Sequence, residues 1–258
     1  MEDFQRDGND KNKENKKKII LIIFIIFLII CFLLAGYFIF FSGKGENEVD
    51  NKPVSSAQSE EENLPDNPID FASLQAKNPE IFAWIKIPGT VIDYPVAQSF
   101  NDNAFYLSHD AYGKEDRKGA IYAEVYNSPN FGDPNTVLYG HNMKDGSMFR
   151  ALHSFSNKEF FDENRYVYIY IPGHIMTYEI IAAYKYDSRH LLNSFDFRNE
   201  EVFKNYLEFV KKPDILSANT RPSNLSEQTK LLTLSTCTSS EKYRFLVQGV
   251  RISDERTK

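Results

Sequence analysis

The chain has 258 residues, with 30 lysines and arginines against 36 aspartates and glutamates, a formal charge of −6 and a pI near 5.5. That balance excludes a general nucleic-acid binder, because neutralising phosphates needs a concentrated basic surface. An aromatic content of 14%, with 15 tyrosines and 21 phenylalanines, excludes a disordered chain and demands a packed core.

From Ile19 to Phe41 runs an uncharged stretch of 23 residues, "IILIIFIIFLIICFLLAGYFIFF". As a helix rising about 1.5 Å per residue it would cross a hydrocarbon layer of roughly 30 Å, which predicts one transmembrane helix. A cleaved signal peptide is the alternative. Its apolar core, however, spans only about 7 to 15 residues, and no small-x-small cleavage site follows here. Residues 1–18 carry Lys11, Lys13, Lys16, Lys17 and Lys18, whereas residues 42–68 carry Lys44 and Lys52 against seven acidic residues. Basic flanks stay inside, so the N-terminus is expected in the cytoplasm and the bulk of the chain outside the cell membrane. Residues 42–68 are acidic and broken by proline, with almost nothing to bury, and are expected to form a flexible tether. The folded domain is expected over residues 69–258.

Asp70 predicts the cap of a short helix through "FASLQAKN", and "NPEIFAWIKIPG" leads into a first strand closed by a Pro-Gly turn. Short strand-like runs then recur between turn signals: "AWIKI", "TVIDYPVA", "GAIYAEV", "NTVLYGH", "RYVYIYI", "MTYEIIAAYKY", "KLLTLSTC" and "YRFLVQGVRI". About eight strands rich in Val, Ile and Tyr predict a mainly β barrel or sandwich dominated by antiparallel pairing. A helix interrupts them. "NEEVFKNYLEFVKKP" puts Val202, Phe203, Tyr206, Leu207 and Val210 on one stripe, with acidic residues in its first turn, lysines in its last and Pro213 as a stop. It is expected to lie on the barrel between the sixth and seventh strands. A weaker helical stretch is expected at "SMFRALHSF".

Of the two cysteines, Cys31 lies in the apolar run and Cys237 in the outer domain, so no intrachain disulfide is expected. A lone outer thiol is either buried and inert or kept for its reactivity. Cys237 closes the strand "KLLTLSTC" beside the polar turn "TSSEK", a position where scaffolds expose reactive groups. Arg244, seven residues on, can fold back toward the thiol in a hairpin-like pair. There its permanent charge would meet developing negative charge on a carbonyl oxygen; a surface ion pair with Glu241 is the alternative. A thiol with a reference pKa of about 8.5 needs a partner to act as nucleophile, and histidine is the usual one. Of five histidines, His109, His153, His174 and His190 read as solvated or packed. His141 follows "NTVLYG" directly, with Gly140 permitting a tight turn that aims the imidazole at a barrel rim. Spacing alone leaves open whether His141 and Cys237 meet.

"TLSTC" followed by "YRFLV", with "YGHN" about a hundred residues earlier, resembles the sortases, membrane-anchored cysteine transpeptidases of Gram-positive bacteria. "VIDYPVAQSFNDNAFYLSHD" is similar to the early segment of class B members. The resemblance covers roughly residues 70 to 253. It implies a closed eight-stranded sortase-type barrel with N-terminal helices and a long helix between strands six and seven. It further implies Cys237 as nucleophile, His141 as general acid and base, and Arg244 as stabiliser of the oxyanion. Ser235, Asn103 and Leu107 match positions that line the substrate groove, and Ser235 shares a strand face with Cys237.

The implied reaction cleaves a C-terminal sorting signal after threonine through a thioacyl enzyme. The secreted protein, bearing an Asn-Pro-x-Thr or Ser-Pro-x-Thr type signal, is then passed to an amine of peptidoglycan or its lipid-linked precursor. No cofactor is needed, and the sequence shows no metal-ligand cluster, phosphate loop or dinucleotide fingerprint. A pilin-polymerising sortase, a thiol hydrolase and a non-catalytic membrane-anchored binding domain are the competing assignments. A papain-like order is excluded, since there the cysteine precedes its histidine.

Overall fold

The computed structural model describes residues 64–258 apart from residue 216. The apolar run 19–41, its basic flank and all but the last residues of the stretch 42–68 lie outside the described residues. Among the described residues no helix is long and apolar enough to cross a membrane. At the near edge, the Pro65 carbonyl accepts from the Lys258 N–H at 3.0 Å, and Asn67 Nδ2 donates to the carbonyl of Ile171 at 2.9 Å.

Nine strands make one sheet: β1 (Ile81–Lys86), β2 (Asp93–Ala97), β3 (Ile121–Ala123), β4 (Asn135–Tyr139), β5 (Tyr166–Ile171), β6 (His174–Asp187), β7 (Asn219–Thr220), β8 (Leu231–Cys237) and β9 (Tyr243–Arg256). Their order is β5-β1-β2-β3-β4-β8-β9-β6-β7, and β5 also pairs with β6. Eight strands therefore close into a barrel, as expected, which leaves no long edge free to recruit another chain. The ninth, β7, hangs on β6 through Ala182 and Ala183. At two residues it is too short for alternation to betray it. Antiparallel pairing dominates, but β2–β3 and β4–β8 are parallel.

Among the described residues four α-helices accompany the barrel: α1 (Phe71–Lys77), α2 (Lys158–Glu163), α3 (Leu191–Ser194) and α4 (Glu200–Lys211). Asp70 caps α1 by accepting from the Ser73 N–H at 3.0 Å. The weaker stretch expected to be helical is a three-ten helix over Phe149–Ser156. Phe149, Leu152 and Phe155 recur at the three-residue period of that helix and are all fully buried in the barrel interior. α4 turns Phe203, Tyr206, Leu207 and Val210 onto the outer face of the sheet, against Ile181, Tyr184, Leu231 and Leu246; Val202 stays at the margin.

Two cores thus share β8 and β9 by alternation. Leu232, Leu234, Phe245 and Val247 point inward, and Leu231 and Leu246 point out under the α4 layer. The outer positions of this layer also hold a buried polar chain. Tyr184 donates to Gln248 Oε1 at 2.5 Å, and Gln248 Nε2 donates to Thr233 Oγ1 at 2.8 Å. Thr233 in turn donates to Asn135 Oδ1 at 2.9 Å. Gln248 Nε2 also donates to the Tyr206 hydroxyl of α4 at 3.0 Å, so the chain ties α4, β4, β6, β8 and β9 in one arrangement, with Asn135 Nδ2 its one unpartnered end.

Asn127, 4% exposed, holds the start of β4. Its Oδ1 accepts from the Val137 N–H at 2.9 Å and its Nδ2 donates to the Asn135 carbonyl at 2.8 Å. Replacing it by alanine strands one buried donor and one buried acceptor, so Asn127→Ala is expected to lower stability by about 2 kcal/mol or more in urea unfolding.

Candidate active site

The register of the last hairpin sets the site. Along β8 and β9, Leu234 faces Val247, Ser235 faces Leu246, Thr236 faces Phe245 and Cys237 faces Arg244. Inner and outer positions alternate, so burying Leu234 and Val247 inside the barrel sends Cys237 and Arg244 to the outer face together. Arg244 Nη1 lies 2.8 Å from Cys237 Sγ, a charge-assisted contact to the sulfur. The guanidinium is thus paired to the thiol, not to Glu241. Cys237 is partly exposed and free, at the end of its strand.

His141 arrives from the neighbouring strand. β4 runs parallel to β8, and their ladder ends with Tyr139 in register with Ser235, two residues before His141 on one strand and Cys237 on the other. Its Nε2 lies 2.8 Å from the Leu107 carbonyl. A carbonyl only accepts, so Nε2 carries a proton and Nδ1 is left free. The Gly140 that precedes it does not have the positive φ a tight turn would require. Its glycine is a matter of space: a Cβ there would lie 2.5 Å from Ile121 Cδ1 and 2.7 Å from the Phe149 ring.

Cys237, Arg244 and His141 line one pocket together with Ser235, Leu107, Tyr122, Tyr139 and Tyr186. Ser235 is buried at its floor, and Leu107 is 43% exposed at its rim. Asn103 is not on the pocket wall; its Oδ1 accepts from the Val125 N–H at 3.0 Å. The short side chain therefore shapes a loop and leaves the pocket lining to its neighbours. Tyr122 and Tyr139 stack at 5.4 Å between ring centroids and form an apolar side. Burial pushes both hydroxyls well above the ordinary tyrosine value, with the Glu124 carboxylate adding to the shift, so both stay neutral.

Several lining residues left no local signal in the sequence. Glu124, buried behind the tyrosines, meets His190 Nε2 at 2.7 Å. His190 Nδ1 accepts from the Asn193 N–H at 3.2 Å and so caps α3, the far wall. The Cys237 carbonyl accepts from Asn142 Nδ2 at 2.9 Å and His153 Nε2 at 3.0 Å. Burial lowers the pKa of His153, with the Cys237 carbonyl opposing and the Arg150 charge reinforcing that shift. Each pair joins residues far apart in the chain, which only the closed barrel makes neighbours. Among the described residues no group of His, Cys, Asp and Glu could hold a metal ion.

Because a methyl at position 140 collides with Ile121 and Phe149, Gly140→Ala is expected to shift His141 and to cost about 1 to 3 kcal/mol of stability. Paired measurements of urea midpoint and turnover check it, with turnover falling more than the stability loss accounts for.

Comparison with known proteins places this geometry in a family. Residues 85–252 match the sortase domain. Sortase B of Listeria monocytogenes is 34% identical over 185 residues, covering 70% of this chain and 73% of its own. The crystal structure of Clostridium perfringens sortase B is 34% identical with a TM-score of 0.64, covering 71% of this chain and all of that one. A Staphylococcus aureus sortase B–substrate complex is 26% identical with a TM-score of 0.64, over 76% of this chain and 90% of its own. With a free thiol at a strand end, a guanidinium on its sulfur and a match over most of the folded chain, this protein belongs to the sortases, as a class B member.

Proposed function

We propose that Cys237 is the nucleophile of this sortase-type transpeptidase, His141 its general acid and base, and Arg244 the donor that stabilises negative charge on the substrate carbonyl. The observation that carries this reading is the 2.8 Å contact between Arg244 Nη1 and Cys237 Sγ in a pocket that His141 also lines. His141 takes the Cys237 thiol proton, and the thiolate attacks the carbonyl carbon of the substrate threonine, forming a C–S bond and pushing the electron pair onto oxygen, where Arg244 lies ready. Collapse breaks the C–N bond, and the departing amine takes a proton from His141. An incoming amine then attacks the thioacyl carbon and gives its proton to His141, and the C–S bond breaks to release the thiolate. The acyl bond's reactivity is conserved without ATP.

The substrate of this reading is a secreted protein with a C-terminal Asn-Pro-x-Thr or Ser-Pro-x-Thr type signal, and the acceptor an amine of peptidoglycan or its lipid-linked precursor. The stacked Tyr122 and Tyr139, with Leu107 and Leu246, offer apolar surface suited to the proline of such a signal. Ser235 at the pocket floor and Leu107 at the rim are assigned to substrate contact. Asn103 acts one step back, by holding the Val125 peptide. The apolar run Ile19–Phe41 anchors the enzyme at the cell membrane, with the N-terminus cytoplasmic and the catalytic domain extracellular. Holding enzyme, emerging substrate and lipid-linked acceptor at one surface raises their effective concentration.

Incubating the full-length protein with a pentapeptide library and an amine acceptor, then weighing the ligated products, tests the reading. Cys237→Ala is expected to give no product, and a ligated peptide from that variant sinks the assignment. Arg244→Ala is expected to lose about a hundredfold or more in single-turnover acylation, the effect of one oxyanion donor. For topology, protease added to intact cells is expected to remove the catalytic domain and spare a short membrane-bound stub.

A further inference from the structure

We propose that Asn142 and His153 are positioning residues, which fix the backbone of Cys237 by supplying with side chains a rung that the sheet itself leaves out. This rests on the assignment of Cys237 as nucleophile. In a parallel pair the rungs recur every two residues, because alternate residues turn their N–H and C=O to the same neighbour. The Ser235 carbonyl takes the Gly140 N–H at 3.2 Å. The next carbonyl on that edge belongs to Cys237, and its regular partner would be the N–H of residue 142. The chain has turned away by then: the His141 carbonyl accepts from the Phe149 N–H at 2.9 Å, and Asn142 bridges to Met148.

The vacant rung is filled by two donors from different elements. Asn142 Nδ2 reaches the Cys237 carbonyl at 2.9 Å from the loop after β4, and His153 Nε2 reaches it at 3.0 Å from the three-ten helix. Neither donor can turn away. Arg150 Nη1 donates to Asn142 Oδ1 at 3.0 Å, which fixes the amide with its nitrogen toward the carbonyl. The His153 ring sits 5.0 Å from that of Phe245, an inward residue of β9. Burial favours its neutral form, and the carbonyl requires that the proton be on Nε2.

Cys237 is the last residue of β8, and strand ends open more readily than strand interiors. With the carbonyl pinned from both the loop after β4 and the three-ten helix, the Cα of Cys237 is held as a mid-strand residue is, and Sγ stays on the guanidinium.

The test measures kcat and KM of transpeptidation in the full-length protein for Asn142→Ala, His153→Leu and His153→Gln, with urea unfolding alongside. Removing one neutral donor from a carbonyl that keeps the other is expected to lower kcat about tenfold, with KM changed less than about twofold. His153→Gln, whose Nε2 carries the same donor, is expected to recover kcat to within about threefold of the unaltered protein. A merely structural histidine predicts instead that Gln and Leu destabilise alike and that kcat follows stability. Unchanged kcat in both Asn142→Ala and His153→Leu, or a Gln variant as slow as the Leu variant, overturns the proposal. If His153→Leu does not fold, the partly exposed Asn142→Ala carries the same decision. Activity surviving Cys237→Ala would refute the nucleophile assignment itself, so the two failures are distinct.

Discussion

The site depends on the register between β8 and β9. Leu232 and Leu234 on one strand, with Phe245 and Val247 on the other, fill the barrel, and their burial dictates which residues face away from it. A slip of one residue would turn Cys237 inward and leave Thr236 outside. At roughly 1.5 to 3 kcal/mol for each large apolar side chain removed from water, such a slip is far dearer than any contact made by the thiol. Packing thus places the Cys237 thiol opposite Arg244, and the 2.8 Å contact follows.

The outer face of the same strands is used in two ways. Over its lower half α4 lays Phe203, Tyr206 and Leu207, and the buried polar chain from Tyr184 to Asn135 fixes that layer in place. Beyond the helix the face is left open, walled by Tyr122, Tyr139 and Tyr186 and by α3. Rigidity under the helix and access beside it come from one continuous surface. Reactive groups at strand ends need a scaffold of this kind, since precision derives from the sheet and exposure from its rim.

Much of this was legible in the sequence because its cause is local. Asp70 announces the α1 cap, the 200–211 stripe announces α4, and a polar turn of five residues between Cys237 and Arg244 announces a hairpin that returns the guanidinium to the thiol. What could not be read has non-local causes. Glu124 meets His190, and His153 meets the Cys237 carbonyl, only after the barrel closes. His153 and His190 therefore read as packed or solvated histidines, while each in fact spends a ring nitrogen on the site. Gly140 was legible as a constraint, but the constraint is room beside Phe149 and not a turn. Asn103 matched by resemblance; its Oδ1 accepts from the Val125 N–H, and it is not among the residues that line the pocket.

The connection between Cys237 and Arg244 returns the chain, but which residues meet across it is also dictated by inward-facing neighbours on both strands. The side chains of residues 238–242 are outside that packing and can change in character while it holds the register. A family built on this barrel can exchange that connector to suit new acyl donors or acceptors without realigning its chemistry, and a protein engineer can graft there on the same grounds.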